Sequence, residues 1–295
     1  MSGRMRIDAH HHLWDLDRRP QPWLRGDALE PLRRTFALPE LLPLLDAHGI
    51  DTTVVVQSSA SLDETRDLLA TARASHGRIA GVVGWADLTD PDRLPGVLAE
   101  LAEAGPLVGV RHQVQDEADP QWLDRPDVRA GLRAVGAAGL AYDLLVTPRE
   151  LPAALAAVEE LPEVRFVLDH AGKPPIAAGR WEPWAEQVAG IADHPNAVCK
   201  LSGLLTEADH ESWRPADVLP YARHVLASFG ADRVLFGSDW PVCTLAGRYA
   251  DAFALAEQAT AALTPDERDA VLGGNAFRVY SLAGPGERVS DQATE

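Results

Sequence analysis

Two kinds of apolar pattern alternate along the chain. Short, nearly continuous aliphatic and β-branched runs occupy Arg6 to Ala9, Thr53 to Val56, Ile79 to Gly84, Leu107 to Val110, Leu140 to Val146, Arg165 to Leu168, Ala197 to Leu201 and Arg233 to Phe236. Runs of this length without polar alternation predict parallel strands buried on both faces. Longer stretches with helical spacing lie between and after them: Asp63 to Ser75, Leu94 to Glu103, Asp127 to Ala138, Glu150 to Glu160, Trp181 to Ala192, Pro215 to Phe229, Tyr249 to Leu263 and Asp266 to Leu272. Ser61 to Glu64, Thr147 to Glu150 and Thr264 to Glu267 read as capping boxes, and Gly49, Gly77, Gly105, Gly139 and Gly230 fall where helices should stop. An unbroken series of eight strand-helix units predicts an α/β fold, a closed (β/α)8 TIM barrel in a single domain over residues 1–283. The polar, Gly- and Pro-bearing end at 284–295 is expected to be a flexible tail. An open doubly wound sheet would produce similar repeats, but no glycine-rich phosphate loop follows the first strand.

Composition narrows the partners. Of 295 residues, 46% are hydrophobic and 24% charged, the balance of a globular protein with a sizeable core. Lys and Arg number 27 against 44 Asp and Glu, a formal charge of −17, which repels nucleic acid and anionic lipid. A few cations in a cleft would still suffice for an anionic small molecule. Cys199 and Cys243 cannot build a disulfide framework or a cysteine zinc site. No apolar run reaches signal-peptide or membrane-span length, so a cytoplasmic enzyme is expected; the oligomeric state is not encoded in any of these features.

In a barrel of this kind chemistry collects at the carboxyl ends of the strands. Reading off those ends gives His10 and His12, Gln57, Trp85 and Asp87, Arg111 and His112, Tyr142 and Asp143, Asp169 and His170, Lys200 and Ser202, then Asp239 and Trp240. His10 and His12, two apart in extended chain, can point to one side while His11 points elsewhere. A histidine cluster near an N-terminus can instead be a solvated patch or a tag remnant, but this run follows a strand and continues into Leu13-Trp14-Asp15, which favours a site. Asp239, just past the last strand, is placed to act as a metal ligand or general base, or else to cap the following turn. Lys200 and Arg111 are cations and donors able to hold a carbonyl, but could instead pair internally with Asp143 or Asp169. Trp14, Trp23, Trp85 and Trp240 offer flat apolar faces to a sugar-like ring, or serve only as packing. The long segment from His10 to Leu38, which carries two of them, is expected to be ordered and functional.

His10-x-His12, Asp169-His170-Ala-Gly-Lys-Pro, Gly237-Ser238-Asp239-Trp240-Pro241 and Leu272-Gly-Gly-Asn275-Ala together resemble the amidohydrolase superfamily over Ile7 to about Leu282. More narrowly, they are similar to its amidohydrolase-2 branch of sugar-lactone hydrolases, of the L-rhamnono- or L-fucono-lactonase kind. That resemblance implies a barrel hydrolase with its site at the strand carboxyl ends. Metal-dependent members carry a histidine on the fifth strand; here that strand reads Ala141-Tyr142-Asp143-Leu144-Leu145. The expectation is therefore at most one divalent cation, zinc by preference, on His10, His12 and Asp239, or a reaction that runs without one.

The function expected is opening of a small hydroxylated lactone to its hydroxy acid by general-base activation of water. Asp239, His170 and Lys200 are the expected catalytic set, with Arg111, His112, Trp14, Trp85 and Trp240 on the substrate. No Ser or Cys nucleophile is required, and no G-x-S-x-G elbow is present. A metal-dependent decarboxylase of the same superfamily and a non-catalytic sugar-binding barrel are the alternatives.

Overall fold

The structure, a computed structural model, describes residues 5–283; the tail expected at 284–295 lies outside them. Eight strands follow one another in chain order: β1 (Ile7–His11), β2 (Thr52–Val56), β3 (Ile79–Gly84), β4 (Leu107–His112), β5 (Ala141–Leu144), β6 (Arg165–Leu168), β7 (Ala197–Leu201) and β8 (Val234–Phe236). Every sequential pair is parallel. The ring closes just beyond β8, where Asp239 N–H donates to the His10 carbonyl at 2.8 Å and His12 N–H to the Trp240 carbonyl at 2.7 Å. The expected (β/α)8 barrel is therefore the observed fold.

The outer layer comprises α1 (Leu38–Ala47), α2 (Leu62–Ala74), α3 (Leu94–Ala104), α4 (Pro126–Ala137), α5 (Leu151–Glu160), α6 (Trp184–Ala192), α7 (Pro215–Phe229) and α8 (Tyr249–Ala259). Their apolar faces pack on the outside of the strands, and the buried aliphatic residues of both layers form the larger core. A smaller core fills the barrel itself, with Val54, Ala141, Val167, Val198 and Leu235 from the strands and Val279 and Tyr280 from below. Strand period then fixes what lies above it, because side chains two residues apart share a face. Ala141 is followed by Asp143, Val167 by Asp169 and Val198 by Lys200, so an apolar floor carries a charged layer directly on top.

Several boundaries differ from expectation for local reasons. Thr147 to Glu150 does not cap α5: Glu150 is buried and its carboxylate accepts from Thr147 N–H at 2.9 Å and Thr147 Oγ1 at 2.7 Å, and the helix starts at Leu151. Helix α6 starts at Trp184, one residue after Pro183. The last helical stretch splits into α9 (Pro265–Asp269), a wider turn at Ala270–Gly274 and α10 (Asn275–Val279). Contact explains that turn, since a Cβ on Gly273 would lie 2.0 Å from the Met5 carbonyl oxygen. Asn275 Nδ2 then donates to the carbonyls of Ala231 at 2.8 Å and Val234 at 2.7 Å, tying the closing segment to the start of β8. No helix among the described residues is long and apolar enough to cross a membrane.

Candidate active site

A bulge at the end of β1 shapes the centre of the site. Asp8 pairs with Thr53 but His11 with Val55, so the register slips by one between them. Such an extra residue re-aims the side chains that follow it. His11 lies against Thr53 Oγ1 at 2.9 Å, while His10 and His12 bring their Nε2 atoms within 3.2 Å of each other. Asp8 holds the bulge, accepting from His10 N–H at 3.1 Å, Ser238 N–H at 2.9 Å and the Tyr249 hydroxyl at 3.1 Å.

Asp239 and His170 arrive from β8 and β6 in left-handed backbone, with φ of 57° and 53°. Residues other than glycine adopt that region at a cost and recur there at functional sites. Asp239 Oδ1 lies 3.4 Å from His12 Nε2, 3.8 Å from His10 Nε2 and 3.9 Å from His170 Nε2. His170 Nδ1 meets Ser202 Oγ at 2.9 Å, above Gly203 on the β7 loop. There a Cβ would stand 2.5 Å from His170 Nδ1, so glycine is what lets the imidazole sit where it does.

Beneath these groups lies the charged layer. Lys200 Nζ contacts Asp143 Oδ2, Asp169 Oδ1 at 3.0 Å and His10 Nδ1 at 3.1 Å. Arg111 Nη1 donates to Asp169 Oδ2 at 3.0 Å and approaches His10 Nε2 at 3.3 Å. The Tyr280 hydroxyl donates to Asp143 at 2.8 Å. Burial pushes the Asp169 carboxyl up, but Lys200, His10 and Arg111 outweigh it and hold the group well below the carboxylate range. Asp143 goes the other way, raised by burial in spite of Lys200. Burial also keeps two imidazoles neutral: His170 is pushed down to about 4 and His10 lies well below its ordinary value. Asp239, with burial opposed by His170, His12 and Lys173, ends below the usual carboxylate range and is anionic at neutral pH.

Donor chemistry bears on metal binding. His12 Nδ1 donates to the Val56 carbonyl at 2.8 Å, which leaves a lone pair on Nε2 facing the Asp239 carboxylate. Two acceptors at that separation repel unless a proton or cation is shared between them. Asp239 Oδ1 thus stands 3.4 to 3.9 Å from the three Nε2 atoms, and the Nε2 atoms of His10 and His12 stand 3.2 Å from each other. A tetrahedral ion with bonds of about 2.0–2.1 Å would space its ligands by about 3.4 Å. Among the described residues, His10, His170 and Asp239 form the cluster whose ligand atoms all lie within 4.8 Å of one another. That set fits one small divalent cation, with His170 beside the expected His10 and Asp239, while the expected His12 stands outside it, next to Asp239.

Above this centre opens a cavity of about 390 Å³, lined by His12, Arg111, His170 and Asp239 and by Ser58, Gln113, Lys173 and Glu207 among others. Lys200, an expected catalytic residue, does not reach it: the side chain is fully buried in the charged layer, behind His10. The expected tryptophans stand apart as well. Trp14 packs edge-on to Trp23 and Phe36, and its Nε1 donates to the Arg34 carbonyl at 2.7 Å. Trp240 packs on Phe36. Trp85 donates through Nε1 to His112 Nδ1 at 3.0 Å, and His112 stacks on Trp122 and meets Glu117 at 2.7 Å. His112 lines an adjoining open groove of about 620 Å³ that shares Trp23, Ser58, Gln113 and Asp116 with the cavity. Of the four tryptophans named from the sequence, Trp23 faces the cavity. Gln113, Lys173 and Glu207 escaped a reading that stopped at each strand's last residues; the signal lay a few residues further along the same loops.

The family model for Amidohydrolase matches residues 7–282. The chain belongs to the amidohydrolase family. An L-fucono-1,5-lactonase of Burkholderia ambifaria is 44% identical over 287 residues, covering 95% of this chain and 97% of that protein. An L-fucono-1,5-lactonase of Burkholderia multivorans is 38% identical over 304 residues, covering 97% and 99%. A crystal structure of a Burkholderia multivorans amidohydrolase with bound zinc superposes with a TM-score of 0.88 at 38% identity, covering 95% of this chain and all of that one. The cavity with the histidine and aspartate centre at its base lies at the strand carboxyl ends, where a barrel of this kind is expected to carry its site.

Proposed function

We propose that this barrel hydrolyses a sugar-derived 1,5-lactone, L-fucono-1,5-lactone first among them, to the open hydroxy acid. A hydrolase acting on a lactone is the activity of both relatives above, and the anionic Asp239 beside the neutral His10 and His170 at the foot of the cavity carries the mechanism. Asp239 takes a proton from water as the oxygen adds to the lactone carbonyl carbon. Arg111 lines the cavity as a cation held in place by Asp169, and we assign it the stabilisation of the oxyanion. His170, held through Nδ1 by Ser202, orients the attacking water with Asp239. The ring carbon–oxygen bond then breaks, its electron pair stays on the ring oxygen, and Asp239 returns the proton there. A zinc ion held by His10, His170 and Asp239 would supply polarisation of the lactone carbonyl. Lys200 acts from below, neutralising Asp143 and Asp169, and Asp169 Oδ1 stands 3.4 Å from His10 Nδ1.

The test is proton release measured with a pH indicator on a panel of lactones. Opening of L-fucono-1,5-lactone well above its spontaneous rate is expected; no acceleration with any sugar lactone would overturn the reading. Elemental analysis of the same preparation is expected to find no more than one zinc per chain.

A further inference from the structure

We infer that Gln113 and Glu207, with Lys173, form the part of the cavity that reads the ring hydroxyls of the lactone. This rests on the lactonase reading and assigns the residues that select its hydroxylated substrate.

The hydrogen-bond direction around Gln113 is settled by its neighbours. Gln57 Nε2 donates to the Arg111 carbonyl at 3.1 Å, so Gln57 Oε1 is the end that accepts from Gln113 Nε2 at 3.0 Å. Gln113 Nε2 gives its second hydrogen to the Ser58 carbonyl at 3.1 Å. Turning the Gln113 amide over would set its oxygen against two other acceptors. Its Oε1 is thus locked as an acceptor, and it has no partner among the described residues. A buried acceptor left in this way costs about 1–3 kcal/mol, which a hydroxyl donor would recover. Gln115 Oε1, in the same lining, is likewise unpartnered.

Lys173 Nζ and Glu207 Oε1 are 3.8 Å apart, each side chain 24% exposed. That gap is too long for a hydrogen bond. It suits one hydroxyl between them, donating to the carboxylate and accepting from the ammonium, as a sugar hydroxyl can and a carboxylate cannot. Charge agrees. The two cations of the lining named here are already paired, Arg111 with Asp169 and Lys173 with Glu207, while Asp116, Glu207 and Asp239 bring negative charge to it. A lactone bearing carboxylates would meet no unpaired guanidinium or ammonium from this set.

The test compares the wild type with Glu207→Leu, Glu207→Gln and Gln113→Leu on L-fucono-1,5-lactone and on δ-valerolactone, which has the same ring and no hydroxyls. In parallel, calorimetry measures binding of the sugar acid product, and of 5-hydroxypentanoate, without turnover. Each Leu variant should lose about 10–150-fold on the hydroxylated lactone, mainly through KM, the worth of a hydrogen bond to a buried or charged group. Both should stay within about threefold on δ-valerolactone, and Glu207→Gln, which keeps an acceptor, should recover most of the loss. Sugar acid binding should weaken in step. Equal losses on both lactones, or no loss on the hydroxylated one, would overturn the inference while leaving a lactonase. If the wild type opens no lactone but sugar acid binding still weakens selectively in the Leu variants, the lactonase reading falls and the hydroxyl-reading wall stands.

Discussion

Asp239 shows how one residue is prepared for its task. Its backbone is held on both sides, its N–H bound to the His10 carbonyl and its own carbonyl accepting from Cys243 N–H at 2.8 Å. Aspartate tolerates left-handed φ better than most residues, so the cost of presenting the carboxylate this way is modest. Substitution by asparagine keeps size and hydrogen bonding and removes the proton acceptor. We expect Asp239→Asn, folded by circular dichroism, to lower turnover of the best lactone by about 10²–10⁴-fold, the usual share of general acid–base catalysis. A turn cap would be served nearly as well by the amide, and turnover within about threefold of wild type would refute the assignment. Lys200 is the converse case. From the sequence, a lysine in a strand could be either a substrate donor or half of an internal ion pair. Only the third dimension puts Asp143 and Asp169 around it and the cavity out of its reach.

At the scale of elements, the strands were legible because burial on both faces leaves a nearly unbroken apolar run, and β3, β6 and β7 match their expected bounds residue for residue. The helices were legible from their spacing, except where an end depends on a partner distant in sequence, as Gly273 against Met5 does. The place of the tryptophans was not legible. The β1 to α1 segment folds back so that Trp14 and Phe36 exchange backbone hydrogen bonds of 3.1 and 2.9 Å, and this turns Trp14 into packing. The loop after β7 supports a prediction at this scale. Gly203 has φ of 65°, and a Cβ there would strike His170. Gly203→Ala should cost about 1–2 kcal/mol from backbone conformation alone. Because the imidazole must also move, lactone turnover should fall by more than about tenfold, since misplacement of a positioned group is expensive. A melting temperature lowered with turnover unchanged would show that His170 tolerates displacement.

For the whole molecule, the barrel interior ties stability to pH. His10, His11 and His170 are buried and neutral; burial pushes His11 down to about 3 and His170 to about 4, and holds His10 well below its ordinary value. The unfolded chain takes up these protons near pH 6.5, so the three imidazoles contribute stability that is complete above about pH 6.5 and lost as pH falls toward the folded values. Asp8, raised to about 6, and Asp143 oppose this: protonated more readily when folded, they add stability as pH falls from about 6 towards 4. Three imidazoles against two carboxyls leave an uptake of about one proton on unfolding near pH 5, a slope of roughly 1.4 kcal/mol per pH unit. The melting temperature of the metal-free protein should therefore drop between about pH 7 and pH 5 at constant ionic strength. His11 isolates the effect, since it bonds Thr53 rather than facing the cavity. His11→Asn keeps a polar partner for Thr53 and removes one titrating ring, so its melting temperature should be lower than wild type at pH 7 but nearly flat down to about pH 5. Parallel curves for the two proteins would mean that His11 does not set the acid sensitivity, and calorimetric melts across that range decide between the outcomes.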